Sequence, residues 1–137
     1  MTDDGPVLVD THVFLWYVED SPRLEPSTFA LLDAVTERDQ PILLSAVSVV
    51  ELAYLAEKGT LVEEQVDAVH AVLDAAGTGF EVVPMDVAVA WAVGRIPRAV
   101  IADPWDRMIA ATALAKAAPL VTYDRRLQAL ADVPTLR

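Results

Sequence analysis

The sequence predicts an α/β fold, a three-layer α/β/α sandwich around a short, mainly parallel sheet, and three observations lead there. Four short apolar runs recur along the chain, each about the length of a strand buried on both faces and too short for a helix. Longer segments with three- and four-residue apolar spacing lie between them. The chain has 137 residues, 54% of them hydrophobic and 23% charged, which suits one core and a single domain over residues 1–137. Strands alternating with helices imply right-handed crossovers and a sheet covered on both sides.

The first run, residues 7–10 (VLVD), closes on Asp10, and 41–45 (PILLS) is the second. Beyond it, Ser48 with Glu51 three positions on has the form of a capping box at a helix start. Within 61–76, Val62, Val66, Val69 and Leu73 share one helical face. Residues 80–83 (FEVV) are the third run. Asp103 before Pro104 reads as an N-cap with proline at the first helical position. Residues 120–123 (LVTY) are the fourth run, and Asp124 behind it can cap a helix over 125–131.

Composition excludes several classes. With 21 acidic and 10 basic residues the formal charge is −11, yet the chain is too apolar for a disordered acidic segment. General affinity for polyanions is excluded too, because it is built from clustered Lys and Arg. The longest stretch without Asp, Glu, Lys or Arg covers only 40–50, short of the about 20 residues a membrane span needs. Asp3 and Asp4 stand where a secretory signal would be basic. With no cysteine in the chain, the expected location is the cytoplasm.

In an open parallel sheet, ligands bind beyond the carboxyl ends of the strands. Asp10 ends the first strand, Glu51 lies in the helix after the second, Asp106 in the first turn after Asp103-Pro104, and Asp124 follows the last run. All four fall at one edge of the sheet. Crowded carboxylates need a cation or raised pKa values to persist. With no Cys and two His, the cation suited to these ligands is Mg2+, with Mn2+ as a substitute, and the chemistry is metal-dependent phosphodiester hydrolysis. Each acid taken singly also has a plainer reading, as a cap or a first-turn acid. Asp10 resists that reading unless a helix begins at once.

These residues resemble the PIN-domain ribonucleases, in particular the VapC-like toxins. The likeness rests on LVDTHVFLWY (8–17), LSAVSVVELAYL (44–55), DPWDRMIAATAL (103–114) and LVTYDRRL (120–127), in register over almost the whole chain. It implies a PIN-like fold and a Mg2+- or Mn2+-dependent endoribonuclease acting as the toxin of a toxin–antitoxin pair. Its acidic quartet falls on Asp10, Glu51, Asp106 and Asp124, as catalytic and metal-binding residues. Asp10 and Asp106 would be the principal ligands, Glu51 a ligand or general base, and Asp124 would serve a second ion or its water. Asp103, Thr11, Ser48 and Thr122 match positions that orient carboxylates or waters. The resemblance also implies a VapB-like antitoxin, an RNA substrate and homodimerisation. One departure is Ile101-Ala102, where members with this DPxDR variant often carry His-Arg.

Arg107, Arg125 and Arg126 flank the last two acids, and Arg95 and Arg98 precede Asp103. An arginine collar around an acidic pit would suit a phosphodiester backbone; solvated loops are the alternative. His12 reads as a packed or rim residue, His70 as a surface residue without an acidic partner. Trp16, Tyr17 and Trp91 read as core, and Trp105 sits beside the site. Two other functions compete. A phosphohydrolase with an aspartyl intermediate would need Asp-x-Asp, which Asp10-Thr11-His12 lacks. A catalytically inactive PIN-like module would bind RNA or protein without cleaving. Finally, bound divalent ions would reverse the local sign of the pit, so the net charge bears on affinity outside it.

Overall fold

Each of the four apolar runs becomes a strand, and a fifth strand joins them. The computed structural model describes residues 4–137, so Asp3 lies outside the described residues. In chain order the elements are β1 (Val7–Val9), α1 (Thr11–Val18), α2 (Pro26–Glu37), β2 (Ile42–Ser45), α3 (Ala46–Glu57), α4 (Glu63–Asp74) and β3 (Phe80–Val83). There follow α5 (Val87–Ala92), a 3-10 turn (Val93–Arg95), α6 (Pro104–Lys116), β4 (Leu120–Val121), α7 (Arg125–Gln128) and β5 (Thr135–Leu136). The strands form one sheet in the order β3-β2-β1-β4-β5. Every pairing is parallel, with Leu8 opposite both Leu43 and Leu120.

Alternation along the strands splits the core into two halves. Val7, Val9, Ile42, Leu44 and Val121 pack with Phe14, Leu24, Leu32 and Leu52. Leu8, Leu43, Val83 and Leu120 face the other way, onto Ile96, Ile109 and Leu127. The connections running from β1 to β3 thus bring α1, α2 and α4 to one face, and those running from β3 to β5 bring α5, α6 and α7 to the other. Crossovers of a single hand produce this division when they travel in opposite directions. Burying a side chain the size of Phe14 or Leu8 contributes about 1.5–3 kcal/mol, which makes the two half-cores the main stabilising element. The direction of travel reverses between β1 and β4, and there a crevice opens at the carboxyl edge.

Several local expectations change. A helix does begin at once after β1: Asp10 is the N-cap of α1, its Oδ1 accepting from the Val13 amide at 2.8 Å. The helix after β2 starts at Ala46 under Ser45, whose hydroxyl accepts from the Val47 amide. Ser48 and Glu51 therefore lie inside α3 and form no capping box. Asp103 and Asp124 cap α6 and α7 as expected, although α7 stops at Gln128. His70 has an acidic neighbour after all, Asp74, one turn on at 3.4 Å. Trp91 is no core residue: it is 80% exposed on α5. No helix among the described residues is long and apolar enough to cross a membrane.

Candidate active site

Five carboxylates, Asp10, Glu51, Asp103, Asp106 and Asp124, line one cavity of about 500 Å3. They come from the ends of β1 and β4, from α3, and from the cap and first turn of α6, so the crevice at the switch point is where they meet. The quartet expected from the sequence is thereby brought together, with Asp103 beside it.

Buried hydroxyls hold these acids in place. Thr122, fully buried behind the cavity, donates to Asp10 Oδ2 and accepts from the Asp124 amide at 3.0 Å, tying the two strand ends across the switch point. Thr11 Oγ1 donates to Glu51 Oε1 at 2.6 Å and is hydrogen-bonded to the Ser48 hydroxyl at 2.9 Å. This links α1 to α3 and explains why Ser48 is buried. Asp124 Oδ1 accepts from the Arg126 and Leu127 amides at 2.8 and 3.4 Å. Asp103 Oδ1 accepts from the Asp106 amide at 3.1 Å. Asp10, Asp103 and Asp124 therefore act as caps through one carboxylate oxygen each, which leaves the other oxygen free of the cap.

The electrostatics mark the same cluster. Desolvation pushes the Asp10 carboxyl above its ordinary range, against the hydrogen bonds from Thr122 and Val13. The Asp106 carboxyl is pushed up to about 6, first by desolvation and then by Asp103, Asp124, Glu51 and Asp10. Four negative charges acting on a half-buried acid are a strong reason for a cation to enter. Among the described residues, no three His, Asp or Glu side chains converge closely enough to hold a metal ion by themselves. The donor set nevertheless fits Mg2+, which keeps several waters and takes one or two carboxylates together with substrate phosphates.

The arginines fall out differently. Arg107 is turned away from the cavity: its guanidinium donates to the backbone carbonyls of Val93 and Ile96 at 2.9–3.2 Å and pins the 3-10 turn to α6. The structure thus does not bring Arg107 into the cavity with the acids. Arg125, Arg95 and Arg98 are exposed and do not line the cavity, while Arg126 Nε lies 3.9 Å from Asp124 Oδ1. The basic side chain that does line the cavity is Arg23, from the loop between α1 and α2. Sequence reasoning passed over it, since nothing local shows that this loop folds back onto β4. Trp16, Trp105, Tyr123 and His12 complete the walls.

An open parallel α/β sandwich with an acidic pit at its switch point is the class the geometry defines. The PIN domain family model matches residues 7–133. The chain is 33% identical over 122 residues to Ribonuclease VapC22 of Mycobacterium tuberculosis, covering 89% of each. It belongs to the PIN-domain family, in its VapC-like branch. Among solved structures, VapBC2 from Rickettsia felis bound to a DNA fragment from their promoter superposes with a TM-score of 0.76 at 18% identity. That match covers 96% of this chain and 97% of the other. FitAcB from Neisseria gonorrhoeae matches with a TM-score of 0.69 at 26% identity, over 96% of both chains.

Proposed function

We propose that the chain is a divalent-cation-dependent endoribonuclease and the toxin of a toxin–antitoxin pair, with Mg2+ or Mn2+ as cofactor. The observation that carries this reading is the convergence of five carboxylates on one cavity, with Asp106 pushed up to about 6 by burial and by the other four. Similarity to a protein named ribonuclease adds the substrate class.

Asp10 and Asp106 are the principal ligands, from opposite halves of the core. Thr122 fixes the Asp10 carboxylate and Thr11 that of Glu51, so neither has to reorganise when substrate arrives. Glu51, on the α3 side, is placed to accept a proton from the attacking water. Asp124, with one oxygen engaged by the α7 amides, offers the other to a second ion or to water. A divalent cation held by Asp10 and Asp106 would supply Lewis-acid stabilisation of charge at phosphorus and make water more acidic.

The partners are a VapB-like antitoxin and a second copy of the chain. VapBC and FitAcB complexes among the structural neighbours support the first. Exposed Val50, Tyr54, Val87 and Trp91 give the molecule apolar surface for such contacts. Incubation of the purified chain with structured RNA, with Mg2+ or Mn2+ titrated in and product ends mapped, tests the activity. Cleavage that appears with the cation and vanishes on chelation is expected. Binding without cleavage at any cation concentration would replace this reading with that of an inactive binding module.

A further inference from the structure

The acidic pit has unlike flanks. Trp105 belongs to the half-core of α5 and α6, stacked edge-on against Tyr54 at 5.7 Å. Trp16 and Tyr123 belong to the half-core of α1 and α2, with their rings edge-to-face at 5.8 Å. His12 extends this second flank outward, its ring 5.8 Å from Trp16 and exposed to solvent. Arg23 lines the same cavity.

That loop is held firmly. Leu24, next to Arg23, is buried at 2% exposure. The Glu25 amide donates to the Tyr123 hydroxyl at 2.8 Å, and the same hydroxyl is bonded to Thr28 at 2.8 Å. Arg137 lies over the Tyr123 ring at 4.4 Å and pairs with Glu25 at 2.8 Å. Tyr123 thus joins the aromatic flank to the loop that carries Arg23. Arg23 itself has no acidic partner within ion-pair distance among the described residues, although the cavity it lines is acidic.

We propose that His12, Trp16 and Arg23 form a nucleotide subsite beside the pit: a base of single-stranded RNA stacks on the Trp16 ring, the His12 ring, inclined to it at 47°, closes the edge, and Arg23 binds the adjoining backbone phosphate. Aromatic faces take any base, and a guanidinium matches a phosphate in two-point geometry. A nucleotide seated there places the next phosphodiester over the carboxylates. The subsite therefore selects unpaired RNA while leaving the base identity open. It takes its substrate class from the nuclease reading, but its binding is measurable without any cleavage.

The test is binding of a labelled single-stranded oligoribonucleotide to the full chain in EDTA, across a salt series. Arg23→Gln is expected to weaken binding and to reduce the salt slope by about 0.7, the value for one single-strand phosphate contact. Trp16→Leu is expected to weaken binding about tenfold with the salt slope unchanged. Trp16→Phe keeps a ring and is expected to bind within about threefold of wild type, which separates stacking from packing. Lys58→Gln, at the far end of α3, removes one charge without effect. Equal binding by wild type, Arg23→Gln and Trp16→Leu would overturn the subsite, as would undetectable binding by wild type at low salt. Weakened binding in both variants with no cleavage by wild type would sink the nuclease reading and leave the subsite standing. Cleavage by wild type with KM unchanged in both variants would do the reverse.

Discussion

Two of the molecule's cavities differ in kind, and their contrast supports the choice of the acidic pit as the candidate site. The acidic pit, about 500 Å3, collects carboxylates from both halves of the core. A larger cavity of about 750 Å3 lies between α3, α4 and β3, lined by residues such as Leu52, Leu61, Val66 and Leu73, with Glu57, His70 and Asp74 among its few polar members. Size favours the second, but polar convergence favours the first. The pit is backed by the fully buried hydroxyls of Ser48 and Thr122, each bonded to a partner that faces the cavity or orients one that does. In the apolar groove the polar groups stay on the surface, and its His70–Asp74 pair is largely exposed. Paired, oriented and destabilised charges mark a working site, whereas an apolar recess marks packing or a contact surface.

The contrast breaks if charge removal in the pit is harmless. Asp10→Asn or Asp106→Asn is expected to lower the RNA cleavage rate by more than about 100-fold while the circular dichroism spectrum stays native. Full activity in either folded variant would remove the pit from the mechanism. Thr122→Val comes next: the Asp10 carboxylate loses its donor and the Asp124 amide its acceptor, so a fall of about 10- to 100-fold in cation affinity or rate is expected. In the groove the effect falls on stability. Leu52→Ala, at a position 4% exposed, is expected to cost about 2–4 kcal/mol in denaturant unfolding. The cleavage rate of the folded fraction should stay within about twofold of wild type.

The smallest expected effect sharpens the comparison furthest, because it has the opposite sign. In the metal-free chain the Asp106 carboxyl holds its proton more tightly when folded, at about 6 against an ordinary value of 3.8. The stability this contributes is present below the unfolded value and is lost as pH rises through the folded one. Wild type is therefore expected to lose stability relative to Asp106→Asn between about pH 4 and pH 7. The variant should end ahead by roughly 1 kcal/mol, after discounting for solvent screening of a half-buried group. Parallel pH profiles of unfolding midpoint for the two proteins would contradict this.

Much of the fold and most of the pit were legible in the sequence, for a reason that also explains the misses. Strands buried on both faces are short apolar runs, and an acid at the end of such a run is conspicuous; Asp10 and Asp124 stood out on that account. The two-residue β5 carries no such signal. Thr11 matched a motif position, but its bond to Glu51, 40 residues away, is set by the packing of α1 on α3. Ser48 and Glu51 have the spacing of a local capping pair, but the N-cap is Ser45, three residues earlier, and Thr11 bonds to both side chains. Arg107 looked like a substrate contact from its place beside Asp106, yet the helical turn points it at the carbonyls of Val93 and Ile96. Arg23 enters the site through a loop anchored where the Glu25 amide meets Tyr123, 98 residues on from Glu25. Spacing reads neighbours on one element; it does not read which loop returns to the sheet.

The proposal that matters most is that the pit takes a divalent cation, with Asp10 and Asp106 as its principal ligands. Calorimetric titration of Mn2+ into the chelator-treated chain at neutral pH, beside Asp106→Asn, tests it most directly. Saturable heat of binding by wild type, lost or weakened at least about tenfold in the variant, is the predicted result. Equal binding by both proteins, or none by wild type, would contradict it.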